Sequence, residues 1–142
     1  MRLTFPGVTG IRSRPIAMEK PRIVDARGDA ATVVSEAVRC LEAGGVVALP
    51  TETVYGLCAR ASHPAAIERI YAMKGREKSK ALPFLIPDVD SVANFVNSIP
   101  LRGRRLMQHF WPGPLTLVLG PGEGAALRMP DQDLTRQILR EV

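Results

Sequence analysis

The stretch VVALPTETVYGL, residues 46–57, decides how the chain is read. Val46-Val47-Ala48-Leu49 is a short apolar run that suits a buried strand and stops at Pro50. A polar turn follows, Thr51-Glu52-Thr53, and Gly56 to Ala61 reads as a second short strand. Hydroxyls at a strand end can hydrogen-bond the ammonium or carboxylate of a small ligand, and a following glycine lets backbone approach closely. The plainer reading is a turn whose threonines satisfy nearby amides. On spacing alone the plainer reading is preferred.

Upstream, Asp29 to Ala43 has Ala30, Val33, Val34, Ala37, Val38 and Leu41 at helical spacing. Asp29 is placed as N-cap, and Gly44-Gly45 end the helix. Downstream, Pro64 opens a helix with Ile67, Ile70 and Tyr71 inward and Lys74-Gly75 at its end. Pro83 to Ile86 is strand-like. Val89, Val92, Phe95 and Val96 suggest a helix closed by Pro100, and a basic helix spans Leu101 to Phe110. Leu115 to Leu119 is a strand, Pro121 to Gly124 a turn, and Ala125 to Met129 a further strand. Asp131 starts a final helix with Leu134, Ile138 and Leu139 buried. Strands alternating with helices predict a layered α/β or α+β domain. No internal repeat or low-complexity segment interrupts it.

The 142 residues fit one domain, and 46% hydrophobic content suffices for a core. No apolar stretch approaches the length of a membrane span, and no signal-peptide core follows the N-terminus. Residues 1–22 are basic, rich in Gly and Pro and almost free of acids; they are read as a flexible tail, with Met18 as an alternative start. Cys40 and Cys58 stand in or beside apolar runs without C-x-x-C spacing, so two buried free thiols in a reducing compartment are expected and a metal site is not. The excess of 19 Lys plus Arg over 14 Asp plus Glu favours anionic partners, nucleotides or RNA phosphates.

Two further segments exceed the needs of packing. Lys74-Gly75-Arg76-Glu77-Lys78-Ser79-Lys80 places four cations in seven residues after a helix end, the charge a polyphosphate needs, without the spacing of a Walker loop. A solvated loop, with Lys74 and Arg76 serving the helix C-terminus, is the plainer reading. Phe110-Trp111-Pro112-Gly113-Pro114-Leu115-Thr116 is a rigid turn feeding a strand, with Trp111 placed in the core. His63 and His109 are read as cap or surface residues.

Taken together and in this order, PTETVYGL (50–57), KGR (74–76) with Lys80, WPGPLT (111–116) and Arg128-Met129-Pro130 resemble the YrdC-like family, whose best-known members are L-threonylcarbamoyladenylate synthases. The resemblance runs from about Ile23 to Val142. It implies an α+β, three-layer α/β/α fold around a twisted mixed sheet. It also implies a reaction in which threonine and bicarbonate form a carbamate that attacks the α-phosphorus of Mg-ATP and expels pyrophosphate. The product serves threonylcarbamoyladenosine formation in tRNA. By this resemblance Thr53 and Arg128 contact threonine, with Arg128 on its carboxylate. Lys74 and Arg76 meet the nucleotide phosphates, and Lys80 stands where some members carry an ATP-contacting Asn. No side chain acts as nucleophile, because the substrate supplies it, and no protein-held metal is expected. A cytoplasmic protein is expected, with tRNA or double-stranded RNA as a further partner and no membrane.

The sequence departs from the family at two places. Only Gly120 to Leu127 joins the Leu115–Leu119 strand to the R-x-P segment, and Gly124 falls near an ATP-contacting Thr of other members. The S-x-N motif that completes the nucleotide site has no counterpart, Ser91-Val92-Ala93-Asn94 having the wrong spacing. The chain is therefore read as a C-terminally shortened member whose exposed sheet edge invites a homodimer. The alternative function is a non-catalytic module binding nucleotide or RNA. A carbamoyl-transfer domain of the kind found inside hydrogenase-maturation proteins ranks last.

Overall fold

The computed structural model describes residues 21–122 and 124–142. The tail expected over residues 1–22 thus lies, but for its last two residues, outside the described residues.

Helix α1 (Ala30–Glu42) begins where Asp29 accepts the Thr32 N–H at 2.9 Å and the Thr32 hydroxyl at 2.7 Å, the cap expected from the sequence. Val34 and Leu41 are buried, with Ala37 and Val38 beside them. The helix closes with the Gly45 N–H donating to the Cys40 carbonyl at 2.7 Å. Strand β1 (Val47–Leu49) then pairs antiparallel with β2 (Gly56–Cys58), Leu49 opposite Gly56 and Val47 opposite Cys58. Pairing goes no further because Gly45 is already tied back to α1. The 46–49 run is not buried throughout: a two-stranded ribbon has one core face, so Leu49 is buried and Ala48 is exposed.

Helix α2 (Pro64–Lys74) has proline in its first turn, buries Ala66 and Ile70, and ends at Gly75 in the left-handed region (φ 55°), where glycine costs least. Strand β3 (Phe84–Leu85) lies parallel to β5 (Ala125–Arg128), which pairs antiparallel with β4 (Leu117–Leu119), in the order β3-β5-β4. The α+β class is therefore as expected, but the described strands form two small sheets rather than one. Strand β4 starts later than Leu115 because the Leu115 carbonyl is occupied by the Trp111 indole N–H at 2.7 Å.

The helix expected around Val89–Val96 is a short 3-10 turn, Asp90–Asn94. Asp88 accepts both the N–H (2.9 Å) and the hydroxyl (2.7 Å) of Ser91, a local bond that competes with a longer α-helix. Helix α3 (Leu101–Phe110) has the expected bounds and feeds Trp111, whose bond to Pro112 is cis. Trp111 joins Ile86, Val92, Met107, Leu117, Leu119 and Leu127 in one core. Val34, Leu41, Leu49 and Ile138 form the other.

Helix α4 (Asp133–Glu141) starts two residues after the expected position. Gln132 caps it by accepting the Thr135 N–H at 3.2 Å, while the Asp131 N–H, one residue earlier, donates to Glu52. Ile138 is buried as expected, whereas Leu134 and Leu139 are only half-buried and Thr135 is fully buried. The Thr135 hydroxyl donates to the Pro50 carbonyl at 2.6 Å, which fixes α4 against the end of β1. Both cysteines are free, but Cys40 is exposed on the outer face of α1, contrary to the expectation that both are buried. Among the described residues, no helix is long and apolar enough to cross a membrane.

Candidate functional site

The turn after β1 is organised by Thr51. Its hydroxyl oxygen accepts the N–H groups of Thr53 and Val54, each at 3.2 Å, and donates to the Val54 carbonyl at 2.5 Å. Thr51 thus plays the plain turn role. Its one proton being spent there, the 3.0 Å contact between the Thr51 and Thr53 hydroxyls takes its proton from Thr53. Thr53 Oγ1 is left as an acceptor, and Arg128 Nη2 donates to it at 3.0 Å. Thr53 stands at the end of the two-stranded sheet and Arg128 at the end of β5 in the three-stranded one, so the two sheets meet at this bond.

A third residue belongs here that motif reading did not single out. Glu52 Oε1 accepts from Arg128 Nη2, and Glu52 Oε2 accepts the Asp131 N–H at 3.0 Å. The side chains of Glu52 and Arg128 keep 18% and 19% of their exposure, so the pair is partly shielded although Glu52 belongs to an exposed turn. Burial works to raise the Glu52 carboxyl pKa, but hydrogen bonds from Arg128 and from backbone N–H groups, with the Arg128 charge, hold it below its ordinary value. The available signal was that Glu52 is the sole acid between Ala43 and Ile67. Arg128 spends only Nη2 on these partners, and its buried Nε has no protein acceptor. The guanidinium therefore keeps donors for a carboxylate.

The cationic loop after α2 is built differently. Arg76 donates from Nε to the Lys80 carbonyl and from Nη2 to the Ala81 carbonyl, both at 3.0 Å, and the Tyr71 hydroxyl reaches the Lys80 carbonyl at 3.3 Å. Lys80 lies 3.7 Å from Glu77, and Lys78 pairs with Glu68 at 2.6 Å. Among the described residues Lys74 makes no ion pair, and its ammonium is the charge felt by the nearby Cys58 thiol. Burial pushes that thiol up to about 11 against the opposing pull of Lys74, so it carries little thiolate at neutral pH. Arg76 and Lys80 thus lie in one exposed loop that follows Lys74 at the end of α2, and no hydrogen bond or ion pair among the described residues joins these cations to Thr53 and Arg128.

Gly124 sits at φ +61°, and a Cβ there would stand 2.7 Å from the Leu119 carbonyl oxygen. No threonine fits at this point of the short 120–124 turn, which gives the departure noted in the sequence a backbone cause. His63 occupies the N-cap position of α2 without a side-chain bond, and exposed His109 packs edge-on against Phe110.

A family profile described as "Telomere recombination", that of the Sua5–YciO–YrdC proteins, matches residues 39–142. The chain belongs to this family. It is 38% identical over 120 residues to the threonylcarbamoyl-AMP synthase of Bacillus subtilis, covering 76% of this chain and 35% of that protein. It is 34% identical over 120 residues to a putative threonylcarbamoyl-AMP synthase of Mycobacterium tuberculosis strain H37Rv, covering 77% and 55%. The crystal structure of Pyrococcus abyssi Sua5 complexed with L-threonine superposes with a TM-score of 0.71 at 32% identity, over 80% of this chain and 36% of that one. The chain thus spans between about a third and just over half of the length of these relatives.

Proposed function

We propose that this chain binds L-threonine beside the Thr53–Arg128 pair and, with bicarbonate and Mg-ATP, converts it to pyrophosphate and threonylcarbamoyl-AMP, the precursor of threonylcarbamoyladenosine in tRNA. One observation carries the reading. Thr53, in the β1–β2 turn, and Arg128, at the end of β5, are 75 positions apart and meet at 3.0 Å with donor capacity remaining on the guanidinium. Names shared by the relatives and the threonine complex of the Pyrococcus abyssi protein support the same substrate.

In this reading Arg128 orients the carboxylate and Thr53 helps fix the guanidinium. The amine, once carboxylated, supplies the attacking carbamate oxygen. Lys74 neutralises phosphate charge as pyrophosphate leaves, and magnesium arrives with ATP as part of the substrate. Arg76 serves the same site by shaping the loop that carries Lys80 next to Lys74 at the end of α2.

A second reading is a module that binds these substrates without joining them. Gly124, which cannot carry the nucleotide-contacting threonine of other members, favours it. Pyrophosphate release separates the two. The synthase reading requires release from Mg-ATP that depends on both threonine and bicarbonate. Saturable threonine binding without such release would leave the binding module.

A further inference from the structure

Glu52, next to Thr53, bonds both Arg128 and the segment that leads into α4. Its Oε1 accepts from Arg128 at the end of β5, and its Oε2 accepts the Asp131 N–H at 3.0 Å, in the link to α4. Its backbone belongs to the turn that carries Thr53. One carboxylate therefore ties the turn after β1 to the segment 128–131, although its two partners lie 76 and 79 positions away. We infer that Glu52 is a positioning residue for threonine recognition: it sets the orientation of Arg128 and the distance between Arg128 and Thr53, and does not itself hold the substrate.

The chemistry supports a clasp rather than a ligand contact. Each Glu52 oxygen already has a partner, and a carboxylate beside a substrate carboxylate would repel it unless its charge were spent on Arg128. An arginine at the end of a long flexible stem gains directional value only when its plane is fixed. Here Glu52 and Thr53 both take Nη2, which leaves Nε and Nη1 to face other acceptors. The Asp131 N–H also explains why the carboxylate is required: Glu52→Gln can offer one oxygen to Arg128 or to Asp131, but its NH₂ would then face a second donor.

This inference rests on the proposed threonine site, and the test separates the two. The whole chain, Glu52→Gln and Glu52→Ala are titrated with L-threonine and, separately, with Mg-ATP, with thermal melts as a check on folding. The expected result is that Glu52→Gln binds threonine about tenfold more weakly, the worth of one charge-assisted hydrogen bond, while its affinity for Mg-ATP is unchanged. Glu52→Ala should be weaker still toward threonine. A role confined to stability would lower the melting temperature and leave the threonine affinity of the folded protein as it was, which would overturn the inference. A parallel loss of Mg-ATP affinity would overturn it as well. Absence of threonine binding by the unaltered chain would instead overturn the site, and the inference with it. Should Glu52→Ala fail to fold, the near-isosteric Glu52→Gln decides.

Discussion

Arg128 Nη2 lies 3.0 Å from Thr53 Oγ1 and also pairs with Glu52, so one guanidinium nitrogen joins two neighbouring residues of a turn that follows a different sheet. The β1–β2 turn is tied near this point to β5 and to α4 by polar contacts of distinct kinds. Glu52 and Thr53 grip Arg128 and the Asp131 N–H, while the Thr135 hydroxyl grips the Pro50 carbonyl. A site that spans two sheets can be adjusted by what crosses between them, and here the crossing groups are the ones assigned to threonine.

The cations of the 74–80 loop should separate by role. Lys74→Ala is expected to lose at least tenfold in Mg-ATP affinity with stability within about 0.5 kcal/mol of the unaltered chain, since an exposed lysine contributes little to folding. Arg76→Ala removes two bonds to loop carbonyls and should instead loosen the loop, seen as faster proteolytic cleavage between positions 74 and 81. Equal cleavage rates with an ATP defect in Arg76→Ala would assign Arg76 to the phosphates directly.

The two cysteines should differ in reactivity. Cys40 is exposed, whereas burial pushes the Cys58 thiol up to about 11. Iodoacetamide at pH 8 should therefore give one adduct per folded chain, at Cys40, and two after denaturation, read by mass spectrometry. Rapid labelling of Cys58 in the folded protein would contradict the packing of β2.

Much of the fold was legible because helices announce themselves locally. Asp29 caps α1, Pro64 and Gly75 bracket α2, and Leu101–Phe110 was placed to the residue. The strand bounds were less legible, since each depends on a partner elsewhere. Leu115 leaves β4 because of an indole four residues earlier, and Val46 leaves β1 because Gly45 is tied to α1. The start of α4 differs from the sequence reading by two residues: the helix begins at Asp133 behind the Gln132 cap, while the Asp131 N–H is held by Glu52, 79 positions away. In the candidate site, Thr53 and Arg128 came from motifs, and the structure brings them together. Glu52 lay inside a quoted motif but was not singled out, because its role exists only where three distant segments meet.

The pH dependence of stability should carry the mark of Glu52. A carboxyl whose folded pKa is depressed adds stability above its unfolded pKa and loses it as pH falls through the folded value. The ordinary value is 4.5 and the folded value lies below it, so the contribution of Glu52 is fully present at neutral pH and fades in acid below that value. Melting temperatures of the unaltered chain and Glu52→Gln should differ at pH 7 and converge as the pH falls through the depressed folded value. A gap that persists unchanged at low pH would show that the charge on Glu52 is not what stabilises the clasp.

The most direct test is incorporation of labelled bicarbonate into threonylcarbamoyl-AMP by the whole chain in the presence of threonine and Mg-ATP, run beside Arg128→Ala. The expected result is labelled product from the unaltered chain and at least a tenfold loss in Arg128→Ala, because a charged bond to the threonine carboxylate is worth about 1.5–3 kcal/mol. No product from a demonstrably folded chain, or equal product from both proteins, would contradict a threonylcarbamoyl-AMP-forming site at Thr53 and Arg128.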